Sequence, residues 1–566
     1  MGYFLIFFSS ILICISLLSS GKFFNYFVLN KNEINFFESI IFGIIFLSFL
    51  ALSINFIFSL NPNLNLIFVI IPIFYYIVFD KSNFKNDFIK IFFISFFVII
   101  LISLENTNRP DAGLYHLPFI NILNESNLIV GITNLHFRYG HISILQYLSA
   151  IFNNTIVGDN GILIPTAIFF LSLIGYLLQN LVNKKKDKLV QYLSFIFLSY
   201  CLINMNRYSS WGNDDFASII FLICIIEAYK LYDNFNIKDF SILILLCIFS
   251  FLIKTFFIIS LLIPFYLFLK NIKYLKYYKL LNTINIFTIF FIFLWLSKNF
   301  LNSSCILFPL EFTCMPSFDW SLTKIAINNI SEISEAWSKD FPNYALKNLN
   351  FREYNSNFNW VSTWLDNHFY IILKNILVLI PIILLLNIFN KVILNKVQKK
   401  FIIEFLFISI VLSLIWFFKF PLLRFGEGFL VTMITLFFMS LNFKKINFTH
   451  INNFKILFIF ILILAVLSKN ILRIYYNFDN KYVDYPWPNK NSYSNENELN
   501  EYISIIEKNK IIYYQPKIES NLCMYGKAPC AAINVNKYFF KNSEIEISKN
   551  RFLIFDKYFI KKRKIK

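Results

Sequence analysis

Apolar runs of roughly 18 residues or more recur along this chain, and no other feature restricts its fold so tightly. A run of that length in lipid must satisfy its own backbone hydrogen bonds, which leaves a helix or a closed barrel. Strands that alternate apolar and polar residues around a polar lumen are absent, so a barrel is not expected. Across 566 residues, 57% are hydrophobic, 20% aromatic and only 15% charged. A soluble globule has no use for that much apolar surface. The sequence predicts an all-α polytopic membrane protein.

Twelve to fourteen spans are expected, near 3–20, 37–60, 65–79, 91–104, 161–182, 189–205, 216–231, 240–252, 256–269, 281–299, 368–390, 401–419, 428–442 and 455–472. The first run, Tyr3 to Leu18, lacks a basic start and a small-residue cleavage site, so it reads as a retained span. Lysines then mark one face. Lys184, Lys185, Lys186 and Lys188 form one loop cluster, and Lys270, Lys273, Lys276 and Lys279 a second. Lys391, Lys396, Lys399 and Lys400 form a third, and Lys444, Lys445 and Lys455 a fourth. All four fall on one side with Lys81, Lys85 and Lys90, which makes that side cytoplasmic. The net charge of +19 is therefore read as membrane topology and not as nucleic-acid binding.

The opposite face, periplasmic in a bacterium with the protein in its inner membrane, receives everything long and chemically varied. It holds 105–160, 206–215, 300–367, 420–427 and a tail, 473–566. The tail has a helical pattern from Glu498 to Lys508 and strand-like runs at Lys510–Tyr514, Glu544–Ser548 and Arg551–Phe555, so a small α+β domain is expected. The expected division is 1–90 for N-terminal helices, 91–472 for the transmembrane core and 473–566 for the tail domain. Cys14, Cys201, Cys224 and Cys247 lie in spans. Cys305 with Cys314 and Cys523 with Cys530 are close pairs on the external face, where disulfides persist. Their spacing is longer than CxxC and no His lies near, so two disulfides are favoured over metal binding.

The stretch Glu105 to Gly140 is the first long polar interval, too long to serve only as a turn. Asp111, Tyr115 and His116 follow the fourth span, with Arg109 before them. A carboxylate just outside the membrane can act as general base or hold a divalent metal. The rival is a helix cap or an ion pair with Arg109. Two weakly amphipathic pieces, 117–128 and 141–153, are expected to lie along the membrane interface. Asn134, His136 and Arg138 sit between them facing the same cavity, and a satisfied interfacial histidine is the favoured reading of His136 and His141. Asp214 and Asp215 begin a span after Arg207. They suit a helix N-terminus, or a metal (Mg or Mn) held against a phosphate. Lys254 interrupts an apolar run and could bind lipid phosphate or snorkel. Arg424 and Glu427 sit in a glycine turn, the Arg suited to phosphate or to an ion pair with the Glu. Phe318, Asp319, Trp320, Trp337, Trp360 and Trp364 could line a sugar site or form an interface belt.

Asp111 after a span, interfacial helices, an acidic pair in the next external loop and a large late external loop resemble the GT-C membrane glycosyltransferases, including the family 39-like enzymes. More narrowly, DAGLYHLPFI, NLHFRYG, WGNDDFAS, SFLIKTF, FDW, LLRFGEGF and CMYGKAPC resemble a poorly characterised bacterial family of polytopic proteins, over about residues 90 to 540. The resemblance implies sugar transfer from a polyprenyl-phosphate donor to an envelope glycan or glycolipid. It implies Asp111 as base or metal ligand, with His116 beside it, and Asp214 with Asp215 as a second acidic site. Lys254 and Arg424 would hold donor phosphate, with His136, Arg138 and Glu427 near the substrate. The chain departs from the pattern in placing about three spans before the one that leads into the acidic loop. It also lacks a paired acid there, Glu105 being distant. Three rivals stand: an envelope polysaccharide polymerase or ligase that does not need Asp111, a transporter or channel, which the nearly bare spans argue against, and a family member without catalytic activity.

Overall fold

The computed structural model describes residues 2–79, 84–104, 111–183, 186–204, 213–272, 281–341, 349–389, 394–441, 451–476, 503–508, 511–517, 522–523, 525–531, 545–553 and 555–562. Helices dominate. They are α1 (Gly2–Phe24), α2 (Phe36–Ile54), α3 (Ile67–Phe79), α4 (Phe84–Leu104), α5 (Leu117–Glu125), α6 (Ile144–Phe152), α7 (Ile164–Val182), α8 (Lys188–Asn204) and α9 (Asp214–Asp233). Then come α10 (Ile237–Ile253), α11 (Leu262–Asn271), α12 (Thr283–Ser303), α13 (Lys324–Ser338), α14 (Tyr370–Phe389), α15 (Lys396–Lys419), α16 (Leu423–Ser440) and α17 (Ile451–Tyr476). Each expected span coincides with a helix. Among the described residues seven helices are long and apolar enough to cross a membrane, and shorter apolar helices accompany them. The protein is an all-α polytopic membrane protein with a few strands.

Asparagines start many of these helices. The side chains of Asn35, Asn236, Asn282 and Asn395 each accept a backbone N–H in the first turn, replacing a bond the helix cannot supply. Gly21 and Gly43 then let α1 and α2 touch backbone to backbone: a Cβ on Gly21 would lie 1.6 Å from the Ser39 carbonyl oxygen. Small residues permit such close crossings where lipid offers no hydrophobic drive for association.

Helices α5 and α6 exist as expected but offer little surface to lipid or water. Apart from Glu125, both are buried inside the protein. Their polar faces bond to the chain instead of water: Asn124 Nδ2 donates to the Leu60 and Ala150 carbonyls at 2.6 and 2.9 Å. The tail also departs from expectation. Residues 503–508 of the expected helix form strand β2 (Ile503–Lys508), which pairs antiparallel with β3 (Ile511–Pro516). The β-branched Ile503, Ile505 and Ile506 favour that pleat. The run Arg551–Phe555 is not one strand but the turn of a hairpin between β4 (Ile545–Phe552) and β5 (Phe555–Lys562), with Leu553 at φ 56°.

The tail is joined to the core. Strand β5 pairs in parallel with β1 (Ile129–Val130) of the long loop. Both expected disulfides are present, Cys305–Cys314 and Cys523–Cys530. The loop closed by the second rests on the region 111–160: Leu114 packs against Cys523 and Cys530, and Asn153 Nδ2 donates to the Tyr525 hydroxyl at 2.6 Å.

Candidate functional site

Residues from five separated stretches meet at one end of the bundle. The π-helical turn Ala112–His116 follows Asp111 directly. The Asp111 side chain makes no cap hydrogen bond, and the residue is half-buried. The cap reading therefore fails, and Arg109, its other expected partner, lies outside the described residues with Glu105 and Arg207. Asp111, Arg138, Asp214 and Arg424 all act electrostatically on the Tyr115 hydroxyl. Burial holds that hydroxyl above its usual range, with Asp111 adding to the effect.

His116 packs on Tyr115 with ring centres 4.1 Å apart and is buried. Its tautomer follows from its neighbours. The Ser143 N–H donates to Gln146 Oε1 at 3.0 Å, which turns the Gln146 NH₂ toward His116 Nδ1 at 3.1 Å. Nδ1 therefore accepts, and the proton sits on Nε2. Burial is the main cause that lowers the His116 pKa to about 3. The side chain is neutral at ordinary pH and fits a hydrogen-bond donor through Nε2 better than a base.

Asp214 opens α9 and is 5% exposed. Lys254 Nζ lies 2.8 Å from its Oδ1 and Arg424 Nε 3.5 Å from its Oδ2. Lys254 thus does not snorkel. It sits in extended backbone where α10 ends, so its side chain leaves the helix and meets Asp214. Arg424 pairs with Asp214 rather than with Glu427, one turn further along α16. Both cations also lie over the Phe425 ring, at 4.4 and 5.0 Å. Two glycines make this approach possible. A Cβ on Gly428 would come within 3.0 Å of Phe221 on α9, and one on Gly426 within 2.4 Å of the Trp416 ring. Glycine at both places lets the start of α16 lie against α9 and α15.

Asp215 and Glu427 also reach a second neighbour, and Asp215 still acts on Arg424. Both act on Tyr200 of α8, and Glu427 hydrogen-bonds its hydroxyl. Of the adjacent acids, Asp214 forms the ion pairs with Lys254 and Arg424, while Asp215 acts on both Arg424 and Tyr200. A divalent ion at Asp214 would have to displace two cations already paired there, and among the described residues no group of three or more His, Cys, Asp or Glu is placed to hold a metal.

Arg138, His136 and His141 share one turn. The guanidinium of Arg138 stands 5.5 Å from the Tyr115 ring centre and 5.3 Å from that of Phe137. His136 is fully buried, with its Nδ1 accepting from the Arg138 N–H at 3.2 Å. Burial, assisted by Arg138, lowers the pKa of both His136 and His141 to about 3. The expected satisfied interfacial histidine is not what stands here, because Nε2 of each ring is buried without a hydrogen-bond partner. Asn134 holds the turn by donating to the Trp320 carbonyl at 2.8 Å.

The aromatic residues of the late loop do not line the site together. Trp320 packs with Phe300 and Phe318, while Trp360 and Trp364 pack on Phe417 of α15. Only Trp337 of these four tryptophans is exposed, at 52%. The sequence reading missed His368. It lies 3.7 Å from Asp340 and within the field of Arg424. Only its place at the foot of a span hinted at this. Lys298 was also missed, a buried lysine whose Nζ donates to Asn55 Oδ1 at 2.7 Å.

No curated protein and no solved structure matches the chain. One family does, described as "Domain of unknown function (DUF8201)", over residues 3–431. That match takes in Asp111, Arg138, Asp214, Lys254, Arg424 and Glu427 and stops before the tail. The chain belongs to the DUF8201 family.

Proposed function

We propose that the protein is an integral membrane glycosyltransferase with a GT-C-like bundle of about twelve to fourteen spans. It moves a sugar from a polyprenyl-phosphate donor to a cell-envelope glycan or glycolipid. In this reading the protein sits in a bacterial inner membrane with the site and tail on the periplasmic side. One observation supports it above the rest: Asp111 shares its surroundings with Arg138 and with the Lys254–Asp214–Arg424 cluster, though these lie up to 313 positions apart in the chain.

Such a site needs a base for the acceptor and cations for the departing phosphate. Asp111 takes the proton as the acceptor oxygen attacks the anomeric carbon. The bond from that carbon to the phosphate oxygen breaks, and its electrons stay on the phosphate. Cations preorganised nearby stabilise the charge gathering there. Asp214 keeps Lys254 and Arg424 in place before the donor arrives. His116, neutral and protonated on Nε2, offers a hydrogen bond and not a charge. No step requires a divalent ion at Asp214, and addition of Mg²⁺, Mn²⁺ or a chelator tests that directly.

The test compares Asp111→Asn with a deletion strain, reading cell-surface glycan and glycolipid by mass spectrometry. The expected result is loss of the same product in both. A product retained by Asp111→Asn but lost on deletion removes Asp111 as base, and favours a polymerase or ligase that works without it.

A further inference from the structure

We propose that the turn from His136 to His141 is a binding site for a singly charged phosphate ester carried by a lipid, with His136 Nε2, Arg138 Nε and His141 Nε2 as its donors. This refines the donor-phosphate part of the transferase reading, yet the site stands without the transfer step.

The turn carries buried nitrogens that nothing among the described residues answers. His136 Nε2, Arg138 Nε and His141 Nε2 are all buried and lack a hydrogen-bond partner. Buried polar groups are nearly always paired, and leaving one donor unmade is costly. Three such nitrogens lie on one six-residue turn. Their character follows from the neighbours. His136 Nδ1 accepts from the Arg138 backbone, so its Nε2 bears hydrogen, and the neutral His141 ring donates from Nε2 in the tautomer that places its hydrogen there. An arginine Nε–H only donates. A ligand that meets these groups must be rich in acceptors and negatively charged.

Charge sets the class. Both imidazoles are neutral, so Arg138 supplies the positive charge of the turn. Lys254 and Arg424 are already paired with Asp214. One guanidinium matches a phosphodiester with one negative charge better than a diphosphate with two or more. Rigidity favours a built site. His136 stacks on Phe137 at 5.4 Å, and His141 meets the Phe308 ring at 5.4 Å. Gly140 admits that phenylalanine, because a Cβ there would lie 2.4 Å from it. A lipid source suits a turn set beside Tyr115 at the end of a membrane bundle.

The chain has five histidines, so selective ¹⁵N-histidine labelling gives a readable spectrum of the full protein in maltoside detergent. The probes are dioctyl phosphate, inorganic phosphate, geranyl diphosphate and the neutral ester trioctyl phosphate. The Nε2 signals of His136 and His141, assigned with His136→Gln and His141→Gln, should move and saturate with dioctyl phosphate and stay still with the neutral ester. Arg138→Gln should weaken binding by about tenfold or more, because charged hydrogen bonds are lost. Arg138→Gln with an unchanged unfolding midpoint and wild-type binding overturns the proposal. So do histidine signals that ignore dioctyl phosphate, and inorganic phosphate or geranyl diphosphate binding as tightly as the diester. Asp111→Asn should bind dioctyl phosphate as the wild type does. Retained binding with an intact envelope product in that variant removes the Asp111-based transfer and keeps this site; product lost without binding in the wild type does the reverse.

Discussion

The two ends of this helical bundle bury charge for different purposes. Helix α9 joins them, with Asp214 at its start and Tyr232 near its end, about 27 Å apart at 1.5 Å per residue. At the far end, among the described residues, the acids Glu404 and Glu227 are both answered. Glu404 accepts from the Tyr232 hydroxyl at 2.6 Å and faces Lys270 at 3.6 Å and Lys400 at 3.9 Å. Lys230 meets Glu227 at 2.6 Å. At the near end Asp214 is paired twice, while Arg138 and two histidines keep nitrogens without a hydrogen-bond partner and Asp111 stays half-buried. Pairing of the first kind fastens helices together. An incomplete set is what a ligand-receiving surface keeps, at some cost to stability.

The sharpest way to break this comparison is Asp214→Ala. It strips one partner from two cations whose side chains are about two-thirds buried, and removing one side of a buried pair costs about 3–5 kcal/mol. The unfolding midpoint in detergent should fall clearly. Asp214→Asn should recover little, since the missing charge matters more than the missing shape. A fall no greater than that caused by Glu404→Gln would mean the two ends are built alike.

Acid separates the ends next. His116 and His136 are held neutral by burial with pKa values lowered to about 3, against about 6.5 when unfolded. Below about pH 6.5 the unfolded chain takes up protons that the folded chain refuses, so stability falls as pH drops through the window from 6.5 to 3. At pH 5 the loss is about 2 kcal/mol for each ring. Amide exchange in 111–146 should quicken at pH 5 while that around Glu404 changes less. Exchange that quickens equally at both ends would remove the histidines as the cause.

How much of this was legible beforehand varies with the kind of signal. Apolar length locates a helix, so each expected span has one. The disulfides follow from short separations on one face. The convergence of Asp111, Asp214, Lys254 and Arg424 was legible as a set of charges at span ends, all assigned to one side. Their pairing was not. Nothing in FPLLRFGEGF says that Arg424 reaches Asp214 instead of Glu427, because the choice is made by how closely Gly428 lets α16 approach α9. Amphipathic patterning also misled at α5 and α6, since an asparagine face reads as facing water whether it meets solvent or a carbonyl such as that of Leu60. The helix expected at 498–508 failed for a similar reason, because partner strand β3 decided the state of 503–508.

Gly426→Ala asks whether that approach matters. The added methyl would meet the Trp416 ring at 2.4 Å, so the start of α16 must shift. Overpacking of this kind costs about 1–2 kcal/mol. Its larger consequence falls on Arg424, two residues away, which should loosen from Asp214. The double variant Gly426→Ala with Asp214→Asn should then be less destabilised than the two single effects added together. Strict additivity would show that the glycine serves packing alone.

The smallest effect belongs to the far end and sharpens the comparison by its size. Glu404 has a side chain 25% exposed, and its two lysine partners lie at 3.6 and 3.9 Å with Lys400 67% exposed. Lys270 is as buried as Lys254, at 27% against 32% exposed, so the difference lies in the carboxylate, 25% exposed at Glu404 against 7% at Asp214. Long pairs on the more open acid contribute little, and salt weakens them further. Glu404→Gln keeps an acceptor for the Tyr232 hydroxyl, so the loss should stay below about 1 kcal/mol. Raising salt to 1 M should shrink it toward zero, whereas the buried Asp214 effect should persist. A large loss at Glu404 that salt does not screen would show a far end under the same strain as the site, and the contrast between holding and receiving would fall.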